Sequence, residues 1–149
     1  MQMNDSQRIP ASKAKVWAAL NDPEILRRCI PGCQSLEMTS PTEMTAIVVL
    51  KVGPVKATFS GKVTLTDIDA PHGYRIVGEG AGGVAGFAKG GAKVRLAEET
   101  PDVTILHYEA EAQIGGKLAQ LGARLIESTS RKLAASFFDN FAALVAPSS

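Results

Sequence analysis

Between Cys33 and Ile114 the apolar side chains recur with a period of two, and this stretch constrains the fold more than any other. Val55, Ala57, Phe59, Gly61, Val63 and Leu65 alternate with Lys56, Thr58, Ser60, Lys62, Thr64 and Thr66. Such alternation describes an antiparallel strand with one face in the core and one in water. Glu43 to Val52 reads as the strand before it, turned by Gly53-Pro54. Pro71-His72-Gly73 closes the next hairpin and Tyr74 to Gly80 follows as a strand. Lys89 to Glu98 and Val103 to Ile114 make another pair, joined at Thr100-Pro101-Asp102. Turn signals at these intervals suit a meander.

The ends of the chain read differently. Met3 to Ile9 suits a first strand that Pro10 ends, and Ser12 is placed to cap a short helix, Lys13 to Asn21, with Val16, Trp17 and Leu20 on one face. Asp22-Pro23-Glu24 combines a capping carboxylate, proline at the first helical position and a negative first turn. That second helix carries Ile25, Leu26 and Cys29 and stops at Pro31-Gly32. After Gly115-Gly116, Lys117 to Val145 reads as one long helix. Leu118, Leu121, Leu125, Thr129, Leu133, Phe137, Phe141 and Leu144 form its apolar stripe. A single helix after a run of strands must bury that stripe on the concave face of the sheet. The expected architecture is α+β: a strand, two short helices, a curved antiparallel sheet and a long C-terminal helix gripped by it. Ala110 and Ala112 are small where a dense core would hold Leu or Ile, and glycines thin the strands further, so a gap between helix and sheet is expected.

At 149 residues the chain suits a single domain, 1–149, with enough core to stand without staples. Sixteen basic and fifteen acidic side chains leave a charge of +1, which argues against nucleic acid as a partner. The longest apolar run, Phe141 to Ala146, is far too short to cross a bilayer. The N-terminal residues lack the apolar stretch of a signal peptide. Two cysteines make no disulfide framework, so the expected setting is the reducing cytoplasm.

Motifs that carry chemistry are sparse. Gly78-Glu79-Gly80-Ala81-Gly82-Gly83 matches G-x-G-x-x-G, but Phe87-Ala88-Lys89-Gly90-Gly91 behind it is a poor helix, and a dinucleotide site needs a helix N-terminus there. A glycine-rich lip over a cavity mouth, with Phe87 as its apolar contact, fits better. Cys29 and Cys33 have no further cysteine to complete a metal site and read as small thiols at a helix end. His107, Glu109 and Glu111 share a strand face, but neighbours two residues apart lie about 6.5 Å from each other and do not surround one ion. His72 sits in a turn with no nucleophile signature near it. No metal, cofactor or catalytic residue is assigned.

The order of elements resembles the START-like, or helix-grip, superfamily (SRPBCC). More narrowly, the chain resembles the CoxG family, named for a component of carbon monoxide dehydrogenase. The resemblance rests on Lys15-Val16-Trp17 with Asn21-Asp22-Pro23, on Ile30-Pro31-Gly32-Cys33, and on Lys51-Val52-Gly53-Pro54-Val55-Lys56. It continues through Gly80 to Gly91, Gly115-Gly116-Lys117-Leu118-Ala119 and Phe137-Phe138. It implies an accessory protein rather than an enzyme, associated with a molybdenum hydroxylase such as carbon monoxide dehydrogenase and linking it to the membrane or the quinone pool. It also implies an apolar ligand, quinone- or lipid-like, under the last helix. Many relatives carry a further C-terminal segment proposed to touch the membrane. Here Pro147-Ser148-Ser149 follows the helix directly, so at most peripheral membrane contact is expected.

In such a fold Leu118, Leu121 and Leu125 are the expected cavity wall, opposite Leu50, Phe59 and Tyr108, with Tyr108 and Thr129 as the polar contacts. Two other readings stay open. A small cyclase or hydrolase would need a buried acid or histidine, with Glu79 and His107 the first candidates. A module acting only through its surface would have a filled core. The oligomeric state is open, a homodimer included.

Overall fold

In the computed structural model, which describes residues 1–147, every strand pairs antiparallel with its neighbours. β1 (Gln2–Ile9) is followed by α1 (Lys13–Leu20) and α2 (Pro23–Cys29). Ser12 accepts from the Lys15 backbone N–H at 3.2 Å, and Asp22 accepts from Glu24 at 3.0 Å, so both capping expectations hold. Then come β2 (Cys33–Ser40), β3 (Glu43–Val52), β4 (Val55–Asp69), β5 (Gly73–Ala81), β6 (Phe87–Thr100) and β7 (Val103–Gly115). The last long element is α3 (Ala123–Val145). Ser148 and Ser149, on which the reading of the C-terminal end partly rests, lie outside the described residues.

The seven strands form one sheet in the order β1-β7-β6-β5-β4-β3-β2. β2 to β7 are thus a meander, as the hairpin signals require, and β1 joins at the β7 edge. The alternation in β4 holds: Phe59 and Leu65 are buried while Ser60 and Lys62 face water.

The C-terminal segment departs from the expectation of one helix from Lys117. Gly116–Leu121 forms a 3₁₀ turn instead, and α3 begins only at Ala123. The break is Gly122, whose φ of +95° lies outside anything a continuous helix can take. The small size of Gly116 also matters. A Cβ there would come within 2.6 Å of the Gly86 Cα, so the turn is held against the β5–β6 connection.

Two apolar clusters hold the helix and sheet together. The larger gathers Ile9, Val16, Leu20, Cys29, Leu65, Tyr74, Val94, Leu106, Phe141 and Val145. The C-terminal half of α3 enters it through Phe141, 0% exposed, whose ring stacks on Phe137 at 6.0 Å. Trp17 packs on Tyr74 at 5.3 Å, as core. Asn140 on α3 donates to the Cys29 carbonyl at 3.1 Å, and buried Thr104 donates to the Ala11 carbonyl at 2.8 Å. The smaller cluster, at the other end, gathers Val52, Phe59, Ala85 and Leu118.

Two measurements check this packing. Phe141→Ala should cost about 3–5 kcal/mol in urea unfolding, because the cavity it leaves lies in the tightest part of the core. Burial pushes the Tyr74 phenol from 10.0 up to about 12. A raised folded-state value means the native state holds this proton more tightly. The resulting stability is complete below pH about 10 and is lost as pH climbs towards about 12. Tyr74→Phe should therefore lose about 2–3 kcal/mol less than the wild type over that alkaline interval in unfolding measurements.

Candidate functional site

Between the two clusters α3 stands away from the sheet. The floor below it is built from residues with almost no side chain: Gly61 of β4, Gly80 of β5, Ala88 of β6 and Ala112 of β7. Gly61 pairs with Gly80, and Gly80 with Ala88, so three of these positions form one cross-strand row. Above them α3 presents Ile126, Thr129, Ser130, Leu133, Ala134 and Phe137. This spacing follows the helix period and keeps one face turned to the floor. Val48, Leu50 and Val52 of β3 close one side with Phe59, and Ile30 and Pro31 enter from the α2–β2 connection. The cavity is about 540 Å³, within the range of small-molecule sites.

Its chemistry is nearly all carbon. Among the described residues lining it, no side chain is acidic, basic or imidazole, and Thr129 and Ser130 supply the side-chain hydroxyls. Such a lining can desolvate an apolar molecule and fix one polar group of it. Stabilisation would come from burial, at about 25 cal/mol per Å² of apolar surface. The outer face of the sheet carries two grooves of about 700 Å³ each, but both are lined by Lys62, Glu79 and Lys89, where apolar burial has little to offer.

The residues singled out from sequence fall in three places. Leu50, Phe59, Leu118 and Thr129 line the cavity together. Leu121 and Leu125 pack behind Leu118 against the smaller cluster rather than into the lining. The break at Gly122 resets the helix phase, so Ile126, not Leu125, faces the floor, and Leu125 turns to Gly53 of the β3–β4 hairpin. Tyr108 sits in the larger cluster, stacked on Phe138 at 5.5 Å. Its phenol is pushed up by burial first and by the Asp5 carboxylate second.

Phe87 corrects the expectation of a lip contact. It pairs in register with Ala81 and Gly115, lies in an outer-face groove and is 48% exposed. Gly115 is needed beside it, since a Cβ there would meet the Phe87 ring at 2.3 Å. The loop contact on the cavity side is instead Ala85, buried against Phe59 and Leu118.

The other candidates are away from the cavity. Glu79, His107, Glu109 and Glu111 are exposed. Gly78 and Gly80 belong to β5, and a short 3₁₀ turn, Gly83–Ala85, follows instead of a helix that could cradle a pyrophosphate. Cys29 is buried and Cys33 half-buried, both free, and burial pushes both thiols up. Among the described residues, no three His, Cys, Asp or Glu side chains come together. No helix there is long and apolar enough to cross a membrane.

A curved antiparallel sheet around a long C-terminal helix, with an apolar cavity between them, defines a START-like protein. The chain belongs to the CoxG family, named for a component of carbon monoxide dehydrogenase, and the family model matches residues 6–146. Solved structures agree. A conserved protein from Geobacillus kaustophilus is similar at 30% identity and a TM-score of 0.92, over 97% of this chain and 95% of that one. A START superfamily protein from Mycobacterium smegmatis is similar at 11% identity and a TM-score of 0.73, over 97% and 96%. The Zhui aromatase/cyclase from Streptomyces sp. R1128 is similar at 11% identity and a TM-score of 0.67, over 97% and 93%. At such low identity the last two share the fold alone. No curated protein matches the chain in sequence.

Filling the floor tests the site. Ala88→Leu or Ala112→Leu places a branched side chain where the cavity now is. Each should leave stability within about 2 kcal/mol of the wild type, since the added methyl groups enter empty space. Each should also cut uptake of an uncharged apolar probe such as N-phenyl-1-naphthylamine by more than about tenfold, read by fluorescence titration.

Proposed function

We propose that the protein is a cytoplasmic, non-catalytic accessory that binds an apolar molecule, quinone- or lipid-like, between α3 and the sheet, and serves a molybdenum hydroxylase such as carbon monoxide dehydrogenase. The observation that carries this reading is the carbon lining of the cavity above its glycine and alanine floor. Family membership supplies the enzyme context. Leu50, Phe59, Leu118, Ile126 and Leu133 hold the apolar body of the ligand. Thr129, assisted by Ser130, donates to a carbonyl or hydroxyl oxygen and sets its orientation.

A catalytic reading draws on the aromatase/cyclase that shares the fold. The lining argues against carrying it over. Chemistry on a bound substrate needs a positioned acid or base, and the cavity side chains offer two weakly acidic hydroxyls. Glu79 and His107, the candidates for that role, are exposed.

Native mass spectrometry of protein purified without detergent, followed by organic extraction, should find a discrete adduct that extracts as a quinone or lipid. A clean apo mass with no response to added quinone overturns the reading. Thr129→Val should weaken a quinone by about fivefold, the worth of roughly one hydrogen bond, and leave a hydrocarbon of similar size unaffected. Equal weakening of both would remove Thr129 from the orienting role.

A further inference from the structure

Three rows of side chains cross β3, β4, β5 and β6 on the outer face of the sheet, one residue from each strand in direct register. The first is Ile47, Ser60, Ala81 and Phe87; the second is Thr45, Lys62, Glu79 and Lys89; the third is Glu43, Thr64, Val77 and Gly91. Ile47 is 42% and Phe87 48% exposed. They stand three strand spacings apart, about 14 Å, with only a serine and an alanine between them. One of the outer grooves follows these first two rows, and Gly61, Gly80 and Ala88 border both it and the cavity. The face is thus the reverse side of the cavity floor.

Each row complements its own reversal. A two-fold axis parallel to the strands, between β4 and β5, sets the first member of a row against the fourth member in a second copy, and the second against the third. Phe87 then meets the partner's Ile47 at both margins, and Lys62 meets the partner's Glu79 twice at the centre. No like charges oppose within the three rows, because Lys89 meets Thr45 and Glu43 meets Gly91. Glu79 enters no ion pair among the described residues, and Lys62 has only a 4.0 Å contact with Glu43. Aligned sheets pack about 10 Å apart, a gap that a lysine and a glutamate span together.

We propose that this face pairs with the same face of a second copy of the chain, in a two-fold dimer whose axis runs between β4 and β5. An unrelated protein would also cover Ile47 and Phe87, but it gives no reason for three successive rows to match their own reversal. Four strands by three rows cover roughly 400 Å² on each copy, the size of a weak and reversible association. The dimer leaves α3 and the inner face of the sheet uncovered. It stands on the outer face alone, whatever the cavity binds.

The test is sedimentation equilibrium of the full chain, free of ligand, from about 1 to 500 µM, where a monomer–dimer equilibrium with a Kd on the order of 100 µM is expected. Lys62→Glu and Glu79→Lys should each weaken association more than about tenfold, because like charges then face each other twice. An equimolar mixture of the two variants should dimerise again, since every 62–79 contact between unlike copies is then an opposite-charge pair. Ile47→Ser should weaken association severalfold. Lys15→Glu, an exposed position on α1, should change it by less than about twofold. Lys62, Glu79 and Ile47 are exposed, and circular dichroism checks that the variants fold. A wild-type chain that stays monomeric throughout overturns the proposal. Undiminished association in Lys62→Glu, Glu79→Lys or Ile47→Ser overturns it, and so does a mixture that stays monomeric or an equal loss in Lys15→Glu.

Discussion

The structure depends on how α3 is propped. Its C-terminal half is anchored by Phe137, Phe138 and Phe141, which pack on one another and on the core beneath α1 and α2. Its N-terminal approach is held by Leu118 and Leu125 against Val52, Phe59 and Ala85. Both supports are bulky, and the sheet between them is floored with glycine and alanine. A rigid helix resting on two raised ends does not sag into the middle, because its backbone hydrogen bonds fix its shape. The cavity is therefore a consequence of side-chain size along the sheet and α3, with the break at Gly122 setting which face of α3 turns to the floor.

The same arrangement explains why the fold serves several purposes. The sheet and helix supply an apolar space, and the side chains that enter it decide what happens there. Here the entering groups are hydrocarbon with two hydroxyls, while the carboxylate, ammonium, guanidinium and imidazole groups of β5, β6 and β7 point outward to water, among them Glu79, Lys89 and Glu111. Binding and chemistry are thus separated by the parity of the strands. A shift of register by one residue would exchange the two faces.

Much of this is legible in the sequence. Period-two alternation and the hairpin turns define the meander, and Ser12 and Asp22 mark both short helices. The thin floor is visible in part, through Ala112 and the glycines, because small residues in a strand have few other uses. The phase of α3 is harder. Leu118, Leu121 and Leu125 extend the stripe in sequence, and only the positive φ of Gly122 breaks it. Glycine is permitted in a helix as well as out of it, so its presence alone does not reveal the break. Phe87 is misplaced by its local pattern for a related reason. Glycines crowd both sides of it, and the parity of β6 is unreadable until its pairing with β5 is known. Ile30 and Pro31 reach the cavity through tertiary folding of the α2–β2 connection, which no local pattern announces.

The central claim is that a ligand lies between α3 and the glycine–alanine floor. The most direct measurement is a methyl NMR titration of the isoleucine-labelled protein with a soluble short-chain quinone. Ile30, Ile114 and Ile126 line the cavity, whereas Ile47 and Ile68 are exposed away from it. The account predicts saturable shifts at Ile30, Ile114 and Ile126 with Ile47 and Ile68 unmoved. Shifts confined to Ile47 and Ile68, or none at any isoleucine, would contradict it.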